Sequence, residues 1–413
     1  MESQVTIVAN SHSYCLFIGE LTMSHNLFEP TTDFLGVFDD LSESDAAGWK
    51  RAAQFREYSA PVINQHWQAA EYPLDLVQRL GDLDVMTDGL AVEGHEQMST
   101  LGAGLALMEV TRADASMGTV IAVQAGLAMR SISMLGSPEQ QAEYLPRMAS
   151  CSLLGAFGLT EPAHGSDSIA LETTAVRDGD EWVLNGEKKW IGNGASGGIT
   201  IIYARMEDGN VGGFIVPQEA PGYSASVIEG KLSLRAIHQA HITLTDCRIP
   251  AANQLPGCCS FKDVSRVLTA TRIGVSWMAL GSAVACYEIA RSYVLERVQF
   301  GRELAKAQII QQRLANMVLD LSQMMLTCRE VSLRETAGTL APEQASAAKL
   351  HNTRAARRIA SDARDMLGGV GILLENDIAR HFADIEAMHT YEGTDTVQSL
   401  IMGKKITGFS AYK

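Results

Sequence analysis

The sequence predicts an α+β protein with a helical region at each end and a β domain between them. Three observations predict it. From Asp39 to Met148 apolar residues recur mostly every three or four positions, the spacing of packed amphipathic helices. From Cys151 to about residue 256 the texture changes to β-branched and aromatic runs bounded by Gly, Pro, Asn and Asp. From there to the C-terminus the helical spacing returns. A length of 413 residues suits about two to three domains, and a hydrophobic fraction of 46% supplies their cores. The expected division is a tail or N-terminal extension over 1–34, a helical domain over 35–150, a middle β domain over 151–256 and a helical domain over 257–413.

Composition narrows the class. A net charge of −15, from 33 basic and 48 acidic residues, excludes a dominant nucleic-acid surface and leaves room for a local basic pocket around a phosphorylated ligand. The seven cysteines (15, 151, 247, 258, 259, 286 and 328) are scattered, so reduced thiols and a cytoplasmic location are expected. Cys258-Cys259 is not a CxxC pair and the ten histidines show no ligand spacing, so no metal is expected. The apolar piece Tyr14–Ile18 is too short for a membrane span and lacks a basic leader; no membrane insertion is expected. Residues 1–22 read as a disordered tail or an extension ahead of a plausible start at Met23, and Ala411-Tyr412-Lys413 is not a peroxisomal address of the Ser-Lys-Leu type.

In the first region the sharpest signal is Ser137-Pro138-Glu139-Gln140, which predicts a capping box and a helix to about Met148. Ser99–Met134, rich in Gly, Ala and Met, reads as a buried pair of core helices. In the middle region Glu181–Leu184 reads as a strand and Asn185-Gly186 as a hairpin turn, with a return from Lys188 to Ile191; Ile199–Ala204, Gly212–Pro217 and His241–Leu244 add further strands. Two loops, Phe157–Asp167 and Trp190–Asn193, place glycines and hydroxyls beside aromatic rings. They suit a flavin cradle, because backbone N–H groups can meet phosphates and a Trp can lie against a planar ring; either loop alone also reads as a polar hairpin with a core Trp. Gly194-Ala195-Ser196-Gly197-Gly198 satisfies GxSxG, but the run after it is strand-like, where a hydrolase elbow leads into a helix. It reads as a turn.

In the last region helices are expected from Asp263 to Phe300 and from Lys306 to about Thr336. Ile310, Leu314, Met317, Leu321, Met324 and Cys328 form a heptad-like seam, read as bundle core or subunit interface. Arg297–Gly301 and Gln308 offer a guanidinium and an amide to a pyrophosphate, and Leu367–Gly371 closes a helix with more glycine than a cap needs. Near the C-terminus, His389–Thr396 sets Glu392 beside Gly393. Glu392 can be a general base; taken alone, the stretch reads first as a helix start capped by Thr394 or Asp395, with Glu392 solvated.

From about residue 35 onward the order of these motifs resembles the acyl-CoA dehydrogenase family, closest in appearance to glutaryl-CoA dehydrogenases and the short-chain acyl-CoA oxidases of plants. It is carried by LTEPAHGSD (159–167), NGEKKWIGN (185–193), the Lys231…Arg235…Ile249-Pro250 frame, ERVQFG (296–301), ARDMLGG (363–369), TYEGT (390–394) and GKKITG (403–408). The resemblance implies the acyl-CoA dehydrogenase fold: an N-terminal helical domain, a middle antiparallel β domain and a C-terminal four-helix bundle, assembled as a homotetramer. It implies FAD held by Phe157, Leu159, Thr160, Ser166, Trp190, Ile191, Gly192, Arg297, Phe300, Thr394 and Thr396, with Gln308 and Leu367, Gly368 and Gly369 reaching it from a neighbouring subunit. It also implies an acyl-CoA substrate near Ser166, Arg272, Tyr391 and Gly393, and electrons leaving to an electron-transfer flavoprotein or to O₂.

The implied chemistry is removal of an α-proton by Glu392 with hydride loss from the β-carbon to the flavin, the thioester oxygen being held by the Glu392 N–H. The helix around Arg272, where some members carry the base, offers no carboxylate. Two departures stand out. Gly118 occupies the position of the arginine that meets a distal carboxylate in glutaryl-CoA dehydrogenases, so a short or medium monoacyl thioester is expected. Gly192 stands where dehydrogenases commonly have threonine, which would open space for oxygen and keeps an acyl-CoA oxidase as an alternative. A serine hydrolase using Ser196 and a catalytically idle flavoprotein are the readings from other classes.

Overall fold

A computed structural model of the protein describes residues 25–411; the expected tail over 1–22, Met23, Cys15, the Tyr14–Ile18 piece and Tyr412-Lys413 lie outside the described residues. Within residues 26–34, part of the expected tail or N-terminal extension, Phe28, Thr32 and Asp33 are buried. Phe28 sets its ring 4.7 Å from that of Trp49, and the Tyr287 hydroxyl donates to the Thr31 carbonyl at 2.7 Å. An aromatic ring in a short polar stretch is enough to anchor it.

The N-terminal helices are α1 (Glu43–Ser59), α2 (Ile63–Ala69), α3 (Leu74–Asp82), α4 (Thr100–Ala113), α5 (Ala115–Ile121), α6 (Arg130–Leu135) and α7 (Pro138–Ala149). Helix α7 starts on the expected capping box, with Ser137 Oγ accepting from Gln140 N and Gln140 Oε1 accepting from Ser137 N. Asp114 breaks the long apolar run into α4 and α5 by capping the latter, its carboxylate accepting from Met117 N at 2.8 Å. Between α5 and α6 the chain takes a wider π-helical course over Ala122–Met129. Such a bulge rotates the side chains that follow and is frequent at functional sites.

The β domain holds β1 (Gly155–Gly158), β2 (Thr174–Asp178), β3 (Glu181–Gly192), β4 (Ile199–Met206), β5 (Val211–Pro217), β6 (Tyr223–Val227) and β7 (Gln239–Pro250). Strand order is β1-β4-β2-β3-β7-β6 with β5 on β4, and the sheet is mixed: β4 runs parallel to β1 and β2, while the other pairs are antiparallel. The hairpin expected at Asn185-Gly186 is absent. The turn lies at Gly179-Asp180, and β3 continues through Gly186, where its register with β7 shifts. A β-carbon at Gly186 would come within 2.6 Å of Thr173 Oγ1, so this glycine serves a bulge and a close approach.

The C-terminal region contains α8 (Phe261–Glu296), the two-residue strands β8 (Val298–Gln299) and β9 (Arg302–Glu303), α9 (Gln308–Thr336), α10 (Pro342–Met366), α11 (Ile378–Thr390) and α12 (Asp395–Thr407). Helices α8–α11 pack as a bundle, and α12 lies against α10. Met317, Leu321, Met324 and Cys328 of the predicted seam are buried in the bundle's own core. Ala115–Leu135 and Phe261–Glu296 are long and apolar enough to cross a membrane, but 67% and 83% of their apolar windows are buried within the protein.

Polar contacts fix α11 against all three regions. Buried Arg380 donates to Asn64 Oδ1 (2.9 Å), the Ala113 carbonyl (3.0 Å), Asp114 Oδ2 (2.5 Å) and Asp377 Oδ1 (3.0 Å). One turn on, Asp384 accepts from Trp67 Nε1 at 3.0 Å and from Leu234 N at 2.6 Å. Burial and the Asp114 charge push the Asp384 carboxyl up to about 7. Thus the N-terminal helices, the β domain and the bundle meet at one helix, whose C-terminal end carries the candidate base.

Candidate active site

Between α11 and α12 only Tyr391–Thr394 intervene. Thr394 caps α12, its hydroxyl accepting from Val397 N at 3.3 Å, while Asp395 is held by Arg354 at 2.6 and 2.7 Å. The helix-cap reading therefore holds for Thr394, but Glu392 is not a solvated bystander. It sits at φ 52 and Gly393 at φ +83, left-handed conformations that turn the chain sharply inward. At Gly393 a β-carbon would also run into the Gln398 amide.

The Glu392 carboxylate accepts from Thr271 Oγ1 of α8 at 2.9 Å. The residue as a whole stays partly accessible, while protein surrounds its carboxylate. Burial raises its pKa above the ordinary value of 4.5; the Thr271 hydroxyl and the Arg272 and Lys349 charges act the other way but do not cancel it. A base must be ionised to accept a proton, so the ionised fraction falls as pH falls through this raised value. The acid limb of kcat/KM against pH should accordingly lie above the ordinary carboxylate range. A limb at or below 4.5 would contradict burial as the controlling influence.

From the loop that carries the carboxylate, contacts lead through Tyr391 into the N-terminal helices and from there to the β domain. Tyr391 is partly buried beside Thr119, whose hydroxyl interacts with its phenol, and its hydroxyl approaches Met278 Sδ at 3.7 Å. One turn beyond Thr119, Val123 on the π-helical segment packs on Gly192 of β3. Ile191 and Gly192 are buried, whereas Trp190, at φ 67, leaves 57% of its surface exposed. Phe157 is buried with its ring 5.1 Å from that of Tyr203, and Leu159 is buried next to it. Thr160 is fixed by its carbonyl, which accepts from Lys189 N at 2.9 Å.

The loop after Thr160 rests on a buried ion pair. Lys188 Nζ lies 2.7 Å from Glu161 Oε1 and donates to the Leu159 carbonyl at 3.1 Å. Burial opposes the charge on Glu161, but Lys188 and the donors from Glu172 and Thr173 outweigh it and hold the carboxyl down at about 2. Ser166, farther along this loop, is exposed. Asn193 is structural: it accepts from the Tyr72 hydroxyl at 2.7 Å and donates to the Gly155 carbonyl at 3.1 Å.

Other predicted residues do not join this cluster. Arg297, Phe300 and Gln308 are exposed on the β8–β9 hairpin and the start of α9, and the Phe300 ring is fully exposed. Leu367 is buried at the end of α10 while Gly368 and Gly369 face open space, and Thr396 is exposed on α12. Ser196 forms part of a turn. Its hydroxyl donates to the Asn193 carbonyl at 2.8 Å, and among the described residues no histidine is hydrogen-bonded to it. This arrangement removes the basis for a serine hydrolase.

Five residues of the site went unpredicted: Thr119, Val123, Thr271, Lys349 and Gln398. Lys349 Nζ donates to the carbonyls of both Tyr391 and Gly393, and Gln398 Nε2 donates to the Glu392 carbonyl at 2.6 Å. A lysine within the Ala-rich run Ala345–Leu350 was a readable signal, since lysine on a buried helix face needs a partner. Nothing in local sequence marks Val123 or Thr271.

The residues fit FAD. A half-exposed Trp190 ending a strand, beside buried Ile191 and Gly192 and the Phe157–Thr160 edge, offers an apolar face to a planar ring. Among the described residues no acceptor takes the Glu392 N–H, which leaves a donor for a ligand oxygen.

Comparison with known proteins agrees with this architecture. The acyl-CoA dehydrogenase N-terminal, middle and C-terminal domain families match residues 47–152, 156–247 and 261–407. The chain is 36% identical over 356 residues to the mitochondrial short-chain specific acyl-CoA dehydrogenase of Mus musculus, covering 83% of this chain and 84% of that one. Among solved structures it is similar to a glutaryl-CoA dehydrogenase from Mycobacterium smegmatis in complex with FADH2 (TM-score 0.91, 35% identity, 94% of this chain and 100% of that one). It is also similar to butyryl-CoA dehydrogenase from Megasphaera elsdenii (TM-score 0.85, 28% identity, 89% and 99%). With three domain families in order over most of its length, the chain belongs to the acyl-CoA dehydrogenase family of FAD-dependent oxidoreductases.

Proposed function

We propose that this enzyme α,β-dehydrogenates short- or medium-chain monoacyl-CoA thioesters, with Glu392 as the base. The observation that carries the reading is an enclosed carboxylate, held by Thr271 and flanked by Arg272 and Lys349, on a loop whose Tyr391 meets Thr119 one turn before the Val123 that packs on Gly192. Burial makes Glu392 a stronger base than a solvated carboxylate, suited to a thioester α-proton. The unpaired Glu392 N–H is the donor for the thioester oxygen, where negative charge develops as the proton leaves. Tyr391 walls the pocket, and Gly393 allows the thioester to approach the backbone. When bound, FAD supplies the acceptor for the hydride from the β-carbon. Phe157, Leu159, Thr160, Ser166 and Trp190–Gly192 would hold it in one subunit, together with Thr394 and Thr396.

Arg297, Phe300, Gln308 and Leu367–Gly369 would complete that site across a subunit interface in a homotetramer. An unpartnered Phe300 and a stripe of exposed leucines spaced by seven on α9 (Leu319, Leu326 and Leu333) support such an assembly. A cytoplasmic location goes with the six free thiols among the described residues. The monoacyl preference is supported by Gly118, whose β-carbon would collide with Thr111, and by Arg112, which is already bound by Glu109 and Glu288.

Val123 favours a dehydrogenase over an oxidase. The side-chain space at Gly192 is not open: a β-carbon there would lie 2.9 Å from Val123 Cγ2. Electrons then pass to an electron-transfer flavoprotein. In air with butyryl-CoA, peroxide per turnover should be well below stoichiometric, and Val123→Ala should raise it. Stoichiometric peroxide from the unmodified enzyme would establish the oxidase alternative. An anaerobic titration against acyl-CoAs of increasing chain length tests the main reading, since the flavin must bleach with a short or medium chain.

A further inference from the structure

We propose that Lys349 is a positioning residue that sets the direction of the Glu392 N–H toward the thioester oxygen. The inference rests on the reaction assigned above. In a trans peptide the C=O and N–H point in opposite directions, so anchoring one carbonyl aims the next residue's N–H. No cis peptide occurs in the described chain. Lys349 holds the Tyr391 carbonyl, so the Glu392 N–H points away from α10. Gln398 holds the Glu392 carbonyl, which orients the Gly393 N–H likewise, and Lys349 holds the Gly393 carbonyl in turn. Three successive carbonyls are thus drawn to the protein side, and the loop's amides face the other way.

The conformation needs this support. A non-glycine residue at φ 52 is strained, and such residues persist where surrounding contacts over-determine them. Lys349 is itself costly: it is 1% exposed and, among the described residues, forms no ion pair within 4.0 Å. Burial lowers its pKa to about 8, with the Glu392 charge acting against that shift. A buried ammonium whose hydrogen bonds go to two carbonyls flanking the base matches a positioning role better than one in general packing.

The test compares Lys349→Met with Asn352→Ala, a change on the same helix that removes buried bonds to Ser276 and Met324 without touching the loop. Both are purified as FAD-loaded protein. Lys349→Met should lower kcat for butyryl-CoA by about 10²-fold, the scale of one lost oxyanion donor, with a much smaller change in KM. It should weaken acetoacetyl-CoA by about tenfold yet leave S-butyl-CoA, which lacks the thioester carbonyl, within about twofold. Asn352→Ala should lower thermal stability and leave the ratio of these affinities unchanged. A crystal structure of Lys349→Met should show the Tyr391–Glu392 peptide rotated.

Equal losses for thioester and thioether, unchanged kcat, or an unrotated peptide would overturn the proposal. If Lys349→Met does not fold, Lys349→Gln, which keeps a shorter, neutral NH₂ donor, should show the same ratio in weaker form, and its absence there is equally fatal. Failure of the unmodified enzyme to bleach with any acyl-CoA would instead sink the assigned reaction, while the peptide rotation still judges the role of Lys349.

Discussion

Glu392→Gln should retain bound FAD, as judged by visible flavin absorbance, and lose anaerobic bleaching by butyryl-CoA by about 10²- to 10⁴-fold, the range that general-base catalysis supplies. The substitution keeps the side chain's shape, and its amide oxygen can still accept from Thr271 Oγ1, so loop geometry should survive. What disappears is the basic oxygen and its charge, which also leaves Arg272 and Lys349 without their nearest anion. Glu392→Asp supplies the complementary result. It restores a carboxylate set back by one methylene, so the acid limb should return while the rate stays low, because proton transfer depends on reach. Bleaching of Glu392→Gln at the unmodified rate would remove Glu392 from its role.

Arg380→Met should be among the most destabilising single changes in the chain. Its guanidinium, buried and bonded to four groups on three segments, compensates Asp114, which is fully buried. Removing one partner of a buried ion pair costs about 3–5 kcal/mol, because the remaining charge stays desolvated. The measurement is thermal unfolding at saturating FAD. Asp114→Asn added to Arg380→Met should recover part of the loss, since an amide can still cap α5 while removing the orphaned charge. A single variant within about 1 kcal/mol of the parent would show that the cluster does not hold α11 in place. Activity should fall in parallel, because α11 leads directly into Tyr391 and Glu392.

Much of the fold was legible. The Ser137–Gln140 capping box, the runs that became β4, β5 and β7, and the helical spacing of α8–α10 depend on neighbours close in sequence. Where local rules misled, long-range contacts had won. Asn185-Gly186 looks like a hairpin turn, yet β7 pairs straight past it, and the tight space against Thr173 explains the glycine. The sheet looked antiparallel because its short strands are separated by turn residues. The parallel pairing of β4 with β1 and β2 is a crossover that no single stretch encodes.

The site divides in the same way. The candidate base, its glycine and the two candidate flavin loops are legible in sequence through the order of motifs that resembles the family, since local spacing alone leaves a helix cap and polar hairpins open. Only the tertiary structure decided that Glu392 is enclosed, that Thr271 holds its side chain and Lys349 the carbonyls on either side of it, and that Val123 fills the space beside Gly192. Thr271 lies 121 positions from Glu392, Lys349 lies 42 and 44 from Tyr391 and Gly393, and Val123 lies 69 from Gly192. Desolvation, the direction of a backbone N–H and the filling of a void depend on which distant segments pack together, and packing is a property of the whole fold.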